Sequence, residues 1–423
     1  MGPTPEFIQQ MQRGQSFWMS GRFEEAAKSF LRASEINPQD LMARANYAIS
    51  LAKSDQVERA LPVLQEIAPK MNSPELYFNL GNVYRMLLRL DEAIAAYDKA
   101  LSIKPDFASA HWNRGLTLLL AERFLEGWKE YEWRFRLAGR KSMPFVGPAW
   151  NGSMESLAGK TLMIGSEQGF GDAIQFARYI PIVAKHAARV VLVCQPELRI
   201  LMKSVPGLSH VMSPGDSIPK YDTHAALMSM GRLLGTTIDS IPADVPYLTA
   251  DPMKRQAWRE RLDQMGKTKK IGIVWGGRPT NANERHRAID LAEFQPLVDV
   301  PGVTLISLQK GPPAEQIKTL SWKDRLVDWT SQIIDFSDTA ALLAELDLLI
   351  TVETAVAHLG GALAKPVWTL IPSFPDWRWL RDRSDSPWYS TMKLFRQSER
   401  GQWGPVIQKV ANSLVELKAS GSN

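Results

Sequence analysis

The 423-residue sequence predicts a helical repeat segment followed by an α/β region with two successive parallel-sheet lobes. Three observations carry that prediction. Small residues recur in the first third, at Ala26, Ala60, Ala93 and Gly127, separated by 34, 33 and 34 positions. From Thr161 onward, short apolar runs of strand character alternate with helical segments. That alternation stops at the three prolines of residues 239–252 and then restarts. The predicted division is a helical solenoid at 1–140, a connector at 141–160, a first α/β lobe at 161–248 and a second at 249–423.

Composition narrows the class. Hydrophobic residues at 45% and charged residues at 22% describe a globular chain with a packed interior. The net charge of +5 is spread without a block of Lys and Arg, which gives nucleic-acid binding no support and leaves peripheral membrane contact open. One cysteine, Cys194, excludes an internal disulfide and a thiolate metal cluster. Six histidines without ligand spacing give no metal site. The opening "MGPTPEFIQQ" has neither a basic nor an apolar signal region, and no run of about 18 apolar residues occurs, so the expected location is cytoplasmic.

The repeat is clearest in "LYFNLGNVYRMLLRLDEAIAAYDKALSIKP", where Tyr77, Leu80, Gly81, Tyr84, Ala93, Tyr97, Ala100 and Pro105 resemble the tetratricopeptide signature. Gly14, Phe17, Ala26, Phe30, Ala33 and Pro38 repeat it earlier, and Gly115, Leu118, Gly127 and Tyr131 later. Ala48, Leu51, Ala60 and Leu64 form a weaker copy between. Each unit is a helical hairpin whose small residues let its two helices approach while Phe or Tyr fills the gap between hairpins, and stacked hairpins form a concave groove. The groove reads as a docking surface for a protein or peptide, or the repeats read as a spacer or dimerisation arm. Asn46, Asn79, Asn82, Asn113 and Arg114, on the first helices, are the candidate partner-binding residues.

In the α/β region, "TLMIG", "RVVLVCQ" and "HVMSPGD" form the strands of the first lobe, and "IGIVWGG", "VTLISLQ", "DLLITV" and "VWTLI" those of the second. Open parallel sheets bind ligands beyond the carboxyl ends of their strands, so a cleft between two Rossmann-like lobes is expected to hold the site. "GPVIQKVANSLVELK" is expected to be an amphipathic closing helix packed back across both lobes.

After "TLMIG" comes "EQGFGDAIQFARY". Its Gly169 and Gly171 do not complete a dinucleotide fingerprint, since Ile174 stands at the third glycine, and no Walker pattern exists. Asp172 with Gln175 three residues on fits a capping box, but a cap does not require two preceding glycines. The glycines bring backbone close to something, or supply a tight turn. At a strand's carboxyl end, the Asp172 carboxylate could also act as general base on an acceptor hydroxyl.

"EQGFGDAIQFARY", "IGIVWGG", "SLQKG" and "TVETAVAHLGGALAKPVWTLI" together resemble the bacterial glycosyltransferases related to the lipopolysaccharide heptosyltransferases, over about residues 159–400. That resemblance implies a GT-B fold of two facing Rossmann-like lobes, no metal or other cofactor, and a nucleotide-sugar donor held by the second lobe. It implies that Asp172 is the base. The family carries Asp-Thr where this chain has Glu353 and Thr354. The repeat-plus-transferase layout resembles the protein-modifying O-linked N-acetylglucosamine transferases and flagellin-modifying transferases.

On the donor side, Thr354, Ala355 and Val356 open a helix whose free N–H groups favour a diphosphate, with His358 one turn in. His358 reads equally as a packed core histidine. "WGGRPT", with Trp275, Gly276 and Arg278, and then Arg287, supplies arginines for phosphate, or only solubility. Lys310 ends another strand, and Gln309 is placed to read a base edge. In "PSFPDWRWLRDRSDSPWY", Asp376 and Trp377 are candidates for sugar and ring contacts, and a loop clamped by aromatics with Arg378 is the alternative. The expected function is transfer of a sugar from a nucleotide-sugar donor to an acceptor, a protein docked on the repeats. The alternatives are a repeat scaffold with a degenerate transferase domain and a lipopolysaccharide or cell-surface glycan transferase.

Overall fold

The computed structural model describes residues 3–139, 145–279 and 284–420, and the chain divides into two compact units, 1–141 and 142–423. The first is four helical hairpins in series: α1 (Pro5–Met19) and α2 (Phe23–Ile36), α3 (Leu41–Lys53) and α4 (Val57–Met71), α5 (Pro74–Met86) and α6 (Leu90–Ile103), α7 (Ala108–Leu120) and α8 (Phe124–Tyr131). Thr4, Asp40 and Ser73 cap the first helix of each of the first three hairpins by accepting from Phe7, Ala43 and Leu76 N–H. At each tight turn one residue is left-handed: Gly21, Asp55, Leu88 and Glu122, with φ of 75°, 68°, 56° and 63°. Only the first of these is a glycine, so three hairpins hold a conformation unfavourable to a side chain.

The small residues do let the two helices of a hairpin approach, but the aromatic ring they admit lies within that hairpin and not between hairpins. A methyl on Gly14 would lie 2.6 Å from the Phe30 ring, and one on Gly81 would lie 2.6 Å from the Tyr97 ring. Phe30 and Tyr97 are themselves buried, and burying such a side chain is worth about 1.5–3 kcal/mol. The weaker second copy has Ala48 and Leu64 at these places, both buried in one cluster. A larger small residue there goes with a smaller partner.

The second unit holds two all-parallel sheets. Its elements in order are β1 (Thr161–Gly165), α9 (Phe170–Phe176), α10 (Ile180–Ala184), β2 (Arg189–Val193), α11 (Arg199–Met202), β3 (His210–Met212), β4 (Thr223–Ala226), α12 (Met230–Leu233) and α13 (Pro252–Asp263). Then follow β5 (Lys269–Val274), α14 (Glu284–Arg287), α15 (Gln295–Val298), β6 (Val303–Ser307), β7 (Leu326–Asp328), α16 (Phe336–Ala344), β8 (Leu348–Val352), α17 (Ala355–Ala362), β9 (Val367–Ile371), β10 (Met392–Arg396) and α18 (Gly404–Ser420). The first sheet runs β3-β2-β1-β4 and the second β10-β9-β8-β5-β6-β7. Central strands such as β8 are buried along their whole length, as a sheet covered on both faces requires. The fold is therefore a helical solenoid followed by two Rossmann-like lobes.

Three strands were not legible in the sequence: β4, β7 and β10. The first two are four and three residues long, too short to show a period. Part of the expected connector is also structured. Val146–Trp150 runs beside β4, with Trp150 N–H donating to His224 O at 2.7 Å and Tyr221 Oη to Val146 O at 2.6 Å. Residues 140–144, at the start of that connector, lie outside the described residues. The closing helix differs from expectation as well. Its stripe of Val406, Ile407, Val410 and Leu414 joins the core of the second lobe with Phe294, Leu297 and Phe395, where its apolar face is removed from water.

Candidate active site at the seam of the two lobes

The helices that follow β1 and β8 meet within the second unit. Beyond β1, helix α9 begins at Phe170 with Gly169 as its N-cap, so Asp172 is the third helical residue and not the cap. It reaches back, and its Oδ2 accepts from Gly169 N–H at 2.9 Å. The expected box with Gln175 is absent, because Gln175 points into the interior and accepts from Arg378 Nε at 2.6 Å. The glycines bring backbone close to another helix. A methyl on Gly171 would lie 2.9 Å from His358 Cδ2 and 3.3 Å from Ala355 Cα. Thus α9 and α17 pack against each other at their N-terminal ends.

Helix α17 starts after β8 with Thr354 as an N-cap that makes no side-chain cap bond; its Oγ1 lies 3.1 Å from Thr351 Oγ1. The first N–H groups of a helix lack internal partners, and with Thr354, Ala355 and Val356 half-exposed they can serve an anion. His358, one turn in, is buried. Its Nδ1 lies 3.0 Å from Tyr389 Oη and its ring stacks on Trp379 at 5.2 Å. Burial, with Arg378, Arg178 and Arg287 adding, holds its pKa well below the ordinary range, so the ring is neutral. That geometry makes it a seam residue. Glu353 accepts from Asp376 N–H at 3.2 Å, and burial, reinforced by the Asp376 charge, pushes its pKa up to about 8. The longer acid at this place is therefore a neutral carboxyl near pH 7.

Arg378 joins the two sides. Its Nη2 pairs with Asp172 Oδ1, its Nη1 donates to Asp376 Oδ1 at 2.8 Å, and its Nε to Gln175. The guanidinium also lies 4.4 Å from the Trp377 ring centre. A second buried arginine, Arg178, donates to Gln175 O, Pro242 O, Trp388 O and Tyr247 Oη. It lies within 4.5–5.2 Å of the rings of Tyr247, Trp388 and Tyr389, so it ties helix, hinge and aromatic loop together. Sequence alone suggests only a stacking role for Arg378 and none for Arg178. The usable signal was the Asp-x-Arg of "PDWRW", an acid and a base two apart in an apolar loop.

Several expected donor contacts are corrected. Trp275 is fully buried, its Nε1 donating to Pro313 O at 3.1 Å, and Gly276 backs onto Pro313. Gln309 uses its whole amide internally, accepting from Trp275 and Gly276 N–H and donating to Gly276 O and Lys310 O. No donor or acceptor is left to read a base. Lys310 Nζ caps the carbonyls of Thr330 and Ile333, at 2.8 Å each. Trp377, 3% exposed, stands edge-on to Trp388 in the clamped aromatic loop, where no ring can stack without displacing it. Asp376 caps the turn Trp377–Trp379 and holds Arg378.

Two arginines remain at the seam. Arg287 donates from Nη1 to Glu353 O at 2.6 Å and from Nε to Glu284 at 2.7 Å, while Glu284 also accepts from Gly277 N–H. Exposed Arg278 lies over the Phe170 ring at 4.9 Å, and Phe170 meets Phe336 edge-on at 5.0 Å. Among the described residues, no group of three His, Cys, Asp or Glu is placed to hold a metal ion, and no helix is long and apolar enough to cross a membrane.

In the first unit, Asn46, Asn79 and Asn113 occupy one repeat position on α3, α5 and α7, all half-buried. Asn113 Nδ2 donates to Asn82 Oδ1 at 2.7 Å, and Tyr97 Oη donates to the same oxygen at 2.8 Å. Asn79 Nδ2 is bound to Glu75 O within its own helix. Arg114 pairs with Asp98 at 2.6 Å and Glu130 at 3.3 Å. Asn82, Asn113 and Arg114 thus join neighbouring helices to one another.

Comparison with known proteins agrees with the first unit. The tetratricopeptide repeat families match residues 11–74 and 74–107. Protein FlbA of Caulobacter vibrioides is 26% identical over 458 residues, covering 94% of this chain and 76% of its own. Protein O-mannosyl-transferase TMTC3 of Mus musculus is 30% identical over 125 residues, covering 26% of this chain and 14% of that protein. Among solved structures, the glycosyl transferase family 9 protein from Veillonella parvula overlays 58% of this chain and 88% of its own at 12% identity, with a TM-score of 0.44. Residues 11–107 of the chain are tetratricopeptide repeats.

Proposed function

We propose that the chain is a glycosyltransferase that moves a sugar from a nucleotide-sugar donor to an acceptor hydroxyl, the acceptor being a protein docked on the repeats. The observation that carries this reading is the meeting of Asp172, beyond β1, with the open start of α17, beyond β8. A carboxylate on one side and an anion-binding helix start on the other are what displacement at a sugar carbon requires. Asp172 takes the acceptor's proton as its oxygen bonds to the sugar. The sugar–phosphate bond breaks with its electrons going to the nucleotide diphosphate, held by the α17 start, Arg287 and Arg278. No metal or other cofactor has a part in this scheme. The work is assigned to the cytoplasm. Similarity over 125 residues to TMTC3, a protein O-mannosyl-transferase, accords with a protein acceptor, and the repeats accord with docking one.

The test is transfer by the full chain with its donor. Asp172→Asn is expected to lower the rate by about 10²–10⁴-fold while donor binding persists. Unchanged transfer in that variant removes the mechanism. One observation favours a second reading, a repeat scaffold with a degenerate transferase domain. Each Asp172 oxygen already accepts a hydrogen bond, one from Arg378 and one from Gly169 N–H. On that reading the wild-type chain binds protein partners through its repeats and transfers nothing.

A further inference from the structure

The occupied carboxylate raises a question that the transferase reading alone leaves open. A base must offer an oxygen to the acceptor's proton, and each Asp172 oxygen already accepts one hydrogen bond, so an acceptor that approaches Oδ1 must share it with the Arg378 guanidinium. The two bonds are not equivalent. Gly169 N–H is backbone of the same helix start and orients the carboxylate through Oδ2. Arg378 reaches Oδ1 from the loop beyond β9, at the far side of the seam.

We infer that Arg378 is a positioning residue that couples donor binding to the release of Asp172: it holds the carboxylate without donor and is drawn to the diphosphate when the donor binds. The inference rests on the transferase reading above and deepens it. Its geometry is on hand. Asp376, which shares the Arg378 guanidinium at 2.8 Å, donates its backbone N–H to Glu353 at 3.2 Å, and Glu353 directly precedes the α17 N-cap. The guanidinium is therefore tethered one residue from the loop that leads into the proposed diphosphate site. It serves two carboxylates, so when it leaves Asp172 it keeps Asp376 as its partner. A guanidinium fork fits phosphate oxygens as well as it fits carboxylates. After the exchange, Asp172 keeps its orienting bond to Gly169 and has Oδ1 open. Acceptor proton transfer to Oδ1 then follows donor binding, and an acceptor arriving first must share that oxygen with the guanidinium.

Calorimetric titration of the full chain with inorganic pyrophosphate tests this as a double-mutant cycle. The variants are Asp172→Asn, Arg378→Gln and both together, each checked by thermal melting. Asp172→Asn keeps an oxygen for Gly169 N–H but no longer competes for the guanidinium, so it is expected to bind pyrophosphate about tenfold more tightly than wild type. A damaged fold does not tighten binding. In the Arg378→Gln background the same change is expected to gain nothing. Equal tightening in both backgrounds reports only a general loss of negative charge and overturns the inference. No tightening, or no pyrophosphate binding in any variant, also overturns it. If Arg378→Gln does not fold, Arg378→Lys keeps the cation without the fork; the inference predicts a smaller gain there, and an equal gain contradicts it. None of these titrations depends on sugar transfer. Donor bound with a failed cycle therefore removes the coupling alone, and a chain that binds no donor removes the transferase reading.

Discussion

Glycine makes room for a neighbour in both units of this chain, but over very different distances in sequence. In the repeats, Gly14 faces Phe30 and Gly81 faces Tyr97, each partner sixteen positions on within one hairpin. In the α/β unit, Gly171 faces His358, and the contact joins two lobes. The first kind of contact is local and recurs with the period. The second is made once, by the meeting of two helices that the sequence shows separately. A repeat distributes its packing among equivalent hairpins. The α/β unit concentrates its interlobe packing on a few residues, and those few also surround the candidate site.

The comparison predicts a ranking of effects. The largest belongs to Arg178, buried among three rings and bound to four oxygens. Arg178→Ala leaves a cavity and stranded carbonyls and is expected to cost about 3–5 kcal/mol in chemical denaturation. A cost under about 1 kcal/mol would show that the seam does not depend on this pin.

Next come the glycines. Gly81→Ala and Gly171→Ala each overfill a packed contact, worth about 1–3 kcal/mol, against a gain of about 1 kcal/mol in helix propensity. The difference lies in where the damage appears. Segment-resolved hydrogen exchange is expected to rise in α5 and α6 for Gly81→Ala, and in both α9 and α17 for Gly171→Ala. Exchange confined to α9 in the second variant would break the comparison.

A pH effect isolates the seam from the repeats. Folded, Glu353 keeps its proton to about pH 8, against 4.5 for an ordinary glutamate. Between those values the native state holds a proton that the unfolded chain has lost, so stability falls as pH rises through the window. Glu353→Gln cannot ionise. Its stability relative to wild type is expected to grow from about pH 5 to about pH 8 and then level off. Parallel pH profiles for the two proteins would mean that Glu353 is already charged.

The smallest effect is at the hairpin turns. Exposed Glu122 holds φ at 63°, and Glu122→Gly is expected to gain up to about 1 kcal/mol. A loss there would mean that the Glu122 side chain has a use beyond the turn.

These contrasts also mark what the sequence could tell. The hairpins were legible because Gly81, Ala93 and Tyr97 recur at a fixed period with a steric reason behind it. Strands β1, β2, β5, β6, β8 and β9 were legible as apolar runs, while β4, with "THAA", carries no strand pattern and is fixed by pairing with β1. At the site, Asp172 and Thr354 were legible because each follows a strand. Trp275, Gln309 and Trp377 also stand near strand ends, yet they face inward, and residue type does not reveal direction. The Arg378 contact with Asp172 spans 206 positions, and no local pattern encodes it.

Sugar transfer requires that the seam bind a nucleotide sugar. Calorimetry of the full chain against ADP-, UDP-, GDP- and CMP-sugars tests it most directly, with Arg287→Ala as the paired variant. The account predicts one binding class, weakened about tenfold or more in the variant by loss of a charge-assisted phosphate contact. Donor at about 100 times its Kd is also expected to stabilise the fold by about 2.7 kcal/mol. If none of the four classes binds, the transferase reading is contradicted and the repeats become the functional surface of the molecule.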